Sequence, residues 1–446
     1  MIDRRNIQGF VVRGYRLPFA AYVYLRIDDA AKTRAALAEF LPQVITAERW
    51  TDKPESGINV AVSFAGLKAM GIGDRSLDAF PAEFKAGMAA RAQVLGDIGD
   101  SAPGNWEEPF RAGEAHVLVM VSATSQEALE ARHGRVCDGV ERSGGGTVVG
   151  AQLGGVLEGG REHFGYADGF AQPSIEGSGF DSQPGEGAPE KGGWRPLKPG
   201  ELLLGYPDEQ GAVTPAPPPD DFGVNGSFLV YRKLRQDVAG FRRLLREAAA
   251  EYPGGEELLA AKIVGRWRDG TPLDASPDRP DAALVADPAR NNAFDYAGDD
   301  AGLRCPVGAH VRRMNPRRSL PFDGKLVNRH RIMRRGITYG ERLPEGADDD
   351  GQDRGVVFMC LQASLARGFE FVQSQWANGG NAFRLGQDQD VMLGPQDTVG
   401  TAKMTIPGDP PFFLGPLARV VTMRGGEYYF TPGLNGLRHL ARDPAA

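Results

Sequence analysis

Apolar and polar residues alternate with a period of two in several short runs of the chain, and each such run passes into a pattern of helical period. In "AAYVYLRIDDAAKTRAALAEFLPQ" the first eight residues read as a strand, Asp28 or Asp29 is placed to cap, and Leu37, Phe40 and Leu41 mark one helix face. In "GINVAVSFAGLKAMGI" the residues Ile58, Val60, Val62 and Phe64 share a strand face before a short helix. "HVLVMVSATSQEALEARHG" predicts a buried strand and a helix opened by Thr124, with Glu127 three residues on as a capping box. The second half repeats the idiom: "SFLVYRKLRQDVAGFRRLLREAAAEY" is a strand and then a helix with Val238, Phe241, Leu245 and Ala248 on one face, and "RGVVFMCLQASLARGFEFVQSQWA" is another such pair.

Residues 177–226, between the halves, are dense in Gly and Pro and include "TPAPPPDD", which fits neither a helix nor a central strand. The domain boundary is expected inside this stretch, dividing the chain into residues 1–220 and 221–446. Strands often follow strands, so two α+β sandwiches fit better than one doubly wound parallel sheet.

Composition narrows the function. A chain of 446 residues can bury sizeable cores, and its net charge of -7 argues against an electrostatic grip on nucleic acid or anionic lipid. Small-molecule partners are expected, on a monomer or homo-oligomer. No secretory apolar run opens the sequence and no 18-residue apolar segment follows, so the expectation is a cytoplasmic protein, with export by an upstream signal left open. The three cysteines, Cys137, Cys305 and Cys360, are too few and too scattered for a disulfide framework or a paired-cysteine zinc site.

Three segments carry candidate chemistry. "HFGYADGFAQP" sets Asp168 between Gly165 and Gly169, where a Gly turn can approach a flat ligand and an acid can exchange protons with it, although Asp-Gly is also an ordinary turn signal. "RCPVGAHVRRMNPRRSLPF" places His310 beside Arg312, Arg313, Arg317 and Arg318, a combination suited to a cofactor that carries both a metal and carboxylates. "NRHRIMRRGITYG" concentrates Arg329, Arg331, Arg334 and Arg335; such a run is normally a solvated face, and one arginine turned into a closed pocket would stabilise developing negative charge.

Together these segments resemble the dye-decolorizing peroxidases. The likeness rests on Gly-x-x-Asp-Gly at Gly165 to Gly169, on His-x-Arg-x-x-Asn-Pro-Arg at His310, Arg312, Asn315, Pro316 and Arg317, and on Arg-Arg-Gly-x-x-Tyr-Gly at Arg334 to Gly340. "NIQGFVV", "LLLGYPDE", "RGVVF" and "FVQSQWAN" extend it over nearly the whole chain, in order, and its length and Pro-rich insertion are most similar to the larger bacterial and fungal-like members.

The resemblance implies an α+β fold of two ferredoxin-like domains of the dimeric α/β-barrel type, with the distal loop in the first and haem b in the second. It implies a peroxidase that uses hydrogen peroxide to oxidise dyes and phenolic or lignin-related aromatic donors in one-electron steps; a haem carrier or iron-handling protein on the same fold is the alternative. His310 is then the iron ligand, with Asp390 or, less directly, Asp388 behind it. Asp168 is the distal acid/base, Arg331 the distal arginine, and Arg317 the partner of a haem propionate. Gly169, Phe170 and Asn315 join the cofactor site, and Val356 and Phe358 narrow the distal cavity. An aspartate with a reference pKa of ~3.9, where other haem peroxidases use a histidine near ~6.5, implies turnover at acid pH. Tyr339 and Trp376 stand where electrons are relayed from the surface in some members, although Leu365, Phe369, Val372 and Trp376 also fall at the spacing of a core helix face.

Overall fold

The computed structural model describes residues 2–394 and 402–442. Thirteen strands occur among them, in chain order β1 (Phe19–Ile27), β2 (Ser56–Ser63), β3 (Val117–Ala123), β4 (Gly146–Gly155), β5 (Ala188–Glu190), β6 (Gly193–Arg195), β7 (Ser227–Gln236), β8 (Met333–Arg334), β9 (Ile337–Tyr339), β10 (Gly355–Gln362), β11 (Met404–Ile406), β12 (Phe412–Leu414) and β13 (Val421–Thr431). The first half supplies the antiparallel order β4-β1-β3-β2, and the second continues it as β13-β7-β10-β8, with β9 also on β10. This is the α+β class expected, two ferredoxin-like units of antiparallel strands and helices.

The halves are not separate sandwiches, because β13 pairs with β7 along its length and also with β2, at Tyr429↔Ser63 and Phe430↔Val62. The far edges meet as well: the Thr338 hydroxyl donates to Gly155 O, and at Gly154 a Cβ would stand 2.6 Å from Ile337 Cγ2 and 3.0 Å from Thr338 O. The sheet thus curls into a barrel. One core cluster spans both halves, and within it Phe80 packs against Phe84 at 4.9 Å between ring centres and against Phe430 at 5.2 Å. The helix Leu434–Ala441 returns to pack on the helix Ala30–Phe40.

Local details depart from the sequence pattern where a side chain finds a better partner. Asp29, rather than Asp28, caps the helix Ala30–Phe40 by accepting from Lys32 N. Phe64 leaves the strand face and begins a helix, because Ser63 caps it by accepting from Gly66 N. The helix Gln126–Ser143 is capped by Ser125, not Thr124, whose hydroxyl instead donates to Glu55 O.

The β4/β9 seam leaves no room for a methyl group. Gly154→Ala is expected to cost about 1–3 kcal/mol in urea unfolding; Gly14→Ala, at a position with nothing within 4 Å, should stay within about 0.5 kcal/mol.

Candidate active site

The two-residue period of adjacent strands decides what faces the site. Leu234 pairs with Val356 and Arg232 with Phe358 between β7 and β10, so Leu234, Gln236, Val356 and Phe358 share one face while Tyr231, Val357 and Met359 turn into the core. Against that face lies a mostly apolar cavity, bounded by the loop around Asp168, by Val264 and Arg266, by the short helix His310–Met314, and by Arg331 to Arg334.

On one wall stands His310. The five-residue helix that carries it is fixed by its own arginines: Arg312 pairs with Asp299 at 2.9 Å and donates to Cys305 O, and Arg313 donates to the carbonyls of Gly308, Trp376, Gly379 and Asp388. Both guanidinium groups are fully buried. They anchor the turn rather than offering themselves to a carboxylate in the cavity, because the turn leaves carbonyls that need donors. His310 Nδ1 lies 2.8 Å from Asp390 Oδ2, and Asp390 Oδ1 accepts from Met392 N and Leu393 N. Of the two aspartates open in sequence, Asp390 is therefore the one that reaches the ring, while Asp388 accepts from Thr405 N. With its proton on Nδ1, the imidazole keeps the Nε2 lone pair for the cavity. Burial resists charging of His310, but the adjacent Asp390 outweighs it and holds the imidazole pKa up. Burial likewise pushes Asp390 up, and His310 with the donors around it brings it below the usual carboxylate range.

Asp168 lines the same cavity, on a turn whose Gly165 and Gly169 both have φ of +97°, a conformation L side chains rarely adopt. Its side chain is 58% exposed although protein surrounds it, so the exposed surface faces the cavity. Oδ1 accepts from Gly169 N at 2.6 Å and from Arg334 Nη1 at 3.0 Å, leaving Oδ2 to the cavity. The Arg334 guanidinium holds the Asp168 carboxyl below the usual range against the opposing effect of burial.

The resemblance implies Arg331 as the distal cation, and the structure places two arginines of that run at the cavity. Arg331 lines the same cavity, but its guanidinium is turned to Gly187 O at 3.1 Å and Glu186 O at 3.3 Å. Arg334, fixed by pairing of β8 with β10 at Cys360, is the one that reaches Asp168, and it also donates to Phe170 O. Both belong to one arginine run.

A third feature is a concentration of charge. Arg266 and Arg331 line one part of the cavity, and Arg317 lies behind them, near enough to lower both of their pKa values. All three are buried and none forms an ion pair with a carboxylate of the described residues. Arg317 donates to Asn292 O, Phe294 O and Asn292 Oδ1, so it stands one layer back from the cavity rather than in it. Burial first, then repulsion from Arg317, lowers Arg331 to about 9 and Arg266 to about 10. Arg266 carries no sequence signal; its "GRWRDG" context reads as a turn.

Of the other expected residues, Phe170, Phe358, Val356 and Asn315 line the cavity, and Asn315 Oδ1 is buried with no partner. Gly169 has open space where a Cβ would be. Tyr339 and Trp376 are 3% and 2% exposed, so neither is a surface residue; Trp376 packs on Phe371 and His330, as a core position does. Cys305 is sealed in the second core cluster, its thiol pushed up to about 12 by burial.

These residues fit a haem. No group of three His, Cys, Asp or Glu among the described residues could hold a metal, so iron at His310 needs its other ligands from a macrocycle. The cavity is roomy and largely apolar, and the unpaired guanidinium groups at one side suit the carboxylates such a macrocycle carries.

Comparison with known proteins agrees along the chain. Residues 6–146 match the model of the DyP dimeric alpha+beta barrel domain and residues 212–387 that of the Dyp-type peroxidase C-terminal domain. A dye-decolorizing peroxidase from Mycena epipterygia is 32% identical over 99% of this chain and 87% of its own. An ancestral D-type dye decolorizing peroxidase superposes with a TM-score of 0.85 at 32% identity, covering 99% of this chain and 100% of that one. A dye-decolorizing peroxidase in complex with 2,6-dimethoxyphenol gives a TM-score of 0.82 at 29% identity, again over 99% and 100%.

Asp390→Asn turns an amide N–H toward His310 Nδ1 and forces the ring proton onto Nε2. Iron-porphyrin titration of the apoprotein is expected to give about 10–100-fold weaker binding.

Proposed function

The chain belongs to the dye-decolorizing peroxidase family and is a haem peroxidase, and from that premise we propose how its own residues carry the reaction. Haem b would be held by His310 through Nε2, with Arg266 and Arg331 placed to meet its carboxylates. The chemistry such a group would supply is a redox centre that exchanges electrons with peroxide and with the donor. Asp390 keeps the His310 proton on Nδ1 and makes the ligand more basic.

Asp168 takes a proton from hydrogen peroxide at Oδ2, the oxygen that Arg334 and Gly169 N leave free, and returns it to the departing oxygen, so that water leaves. Arg334 keeps Asp168 ionised and stabilises negative charge on the breaking bond, a contribution of roughly 3 kcal/mol. Val356 and Phe358 exclude water from the space above. The observation that carries this assignment is the 3.0 Å Arg334–Asp168 pair lining the same cavity as His310. A haem carrier would need the axial ligand but no such pair, which favours the enzyme.

Phenolic aromatic donors suit the second half of the cycle, in keeping with the relative that binds 2,6-dimethoxyphenol. Two donors each give one electron and one proton, and the proton can pass through Asp168.

Stopped-flow spectra of the haem-loaded enzyme test the roles. Asp168→Asn should keep the ferric haem spectrum and slow the peroxide step by about 10²–10⁴-fold; a wild-type rate would remove Asp168 from the mechanism. The active form is the carboxylate, so the rate falls as pH falls through its pKa. Arg334→Gln removes the group that holds this pKa down and should move the acid limb to higher pH. Arg331→Gln should weaken haem binding and leave the position of that limb unchanged.

A further inference from the structure

The loop that carries Asp168 is rich in glycines that take conformations other residues rarely adopt. Gly159, Gly160, Gly165 and Gly169 all have positive φ, and each glycine surrenders more freedom on ordering than any other residue. Catalysis needs an acid held to within a fraction of an ångström. Something must pin the turn.

Its outer side is held by a neighbouring loop: Ala167 N donates to Arg268 O, Arg268 Nη1 donates to Phe164 O, and the Tyr166 hydroxyl donates to Ala260 O. On its inner side one side chain gathers the turn. The Glu162 carboxylate accepts from Phe164 N at 2.9 Å through Oε2, from Tyr166 N at 3.0 Å through Oε1, and from Gln236 Nε2 at 2.6 Å through Oε2. Gln236 is the last residue of β7, itself paired with Val421 of β13, and its backbone N donates to Arg354 O. Glu162 therefore ties the loop to the strand whose face forms the cavity wall, and both Glu162 and Gln236 line that cavity.

Why a carboxylate stands there follows from the donors. Three N–H groups converge on two oxygens, and only an acceptor-only group serves all three. The group is costly to bury: its surroundings and the nearby Asp168 charge push the Glu162 carboxyl up. A clamp kept at that cost, two residues short of the loop's own turn and six short of the proton acceptor, has its use in geometry.

We propose that Glu162 is a positioning residue for Asp168: bound to Gln236, it fixes the turn Phe164–Tyr166 and so the place at which Asp168 meets Arg334 and the bound peroxide. The proposal rests on Asp168 being the proton acceptor. The charged and titratable groups that act on Asp168 are Arg334 and His310, with Glu162 on the same loop. When the clamp opens, Asp168 shifts away from Arg334 and loses the influence that keeps it ionised at low pH.

Glu162→Gln tests this, since it keeps the size and sets an N–H donor against an N–H donor. In the haem-loaded variant, the bimolecular rate constant with hydrogen peroxide should fall by about 10- to 100-fold at acid pH. The acid limb should also move to higher pH, as in Arg334→Gln. KM for a phenolic donor should stay at the wild-type value, and the amides of Phe164 and Tyr166 should exchange faster in the apoprotein. A wild-type rate and limb would overturn the proposal, and so would a loss of stability with the limb unmoved. Should Glu162→Gln not fold, Gln236→Met removes one of the three donors; a smaller shift of the limb in the same direction supports the clamp, and an unshifted limb overturns it. Asp168→Asn run alongside separates the two readings: a slow Asp168→Asn with a normal Glu162→Gln sinks only the clamp, whereas a fast Asp168→Asn sinks the role of Asp168 itself.

Discussion

A guanidinium taken out of water is costly unless an anion meets it, and the second half of this protein gathers three that form no ion pair with a carboxylate among the described residues. Arg266, Arg317 and Arg331 are satisfied by carbonyls and one amide oxygen, which fill their hydrogen bonds but not their charge. The folded chain is thus complementary to a ligand that is flat, apolar over most of its area and anionic along one side. The barrel, the short helix bearing His310 and the loop bearing Asp168 each supply one boundary of that space.

Within it, two aspartates differ in what their surroundings leave free. Asp390 is fully buried against the His310 ring, with both oxygens taken, and acts as a fixed charge that sets where the imidazole proton sits. Asp168 keeps one oxygen open to the cavity and is held ionised by Arg334, so it can accept a proton and give it back. Nothing in either residue's own chemistry separates the roles; the number of hydrogen bonds each already makes does. Glu162 adds a third carboxylate, used to shape a loop.

The same economy governs the arginines. Arg312 and Arg313 stand beside His310 in sequence and would serve a ligand's carboxylates if they faced it, yet both turn away to hold the helix start. Charge density in sequence is therefore a poor guide to charge in the cavity. Of the arginines that line the cavity, Arg334 is the one that reaches Asp168, and it sits where β8 pairs with β10 at Cys360.

The sequence alone determined the elements whose periodicity is strong, namely the central strands and the helix face of Val238, Phe241 and Leu245, together with the class α+β. It also put forward His310 and Asp168 as candidates, with Asp390 or Asp388 behind the histidine, because a glycine-framed acid and a histidine in a fixed motif are local patterns that survive without neighbours. Only the tertiary structure showed which of Arg331 and Arg334 reaches Asp168 and which of Asp390 and Asp388 reaches His310, and decided between surface and core for Tyr339 and Trp376. It alone brought in Arg266 and the Glu162–Gln236 clamp. Each of these depends on which side chains meet across the barrel from segments tens to hundreds of residues apart, and a pattern read along one chain carries no information about such a distance.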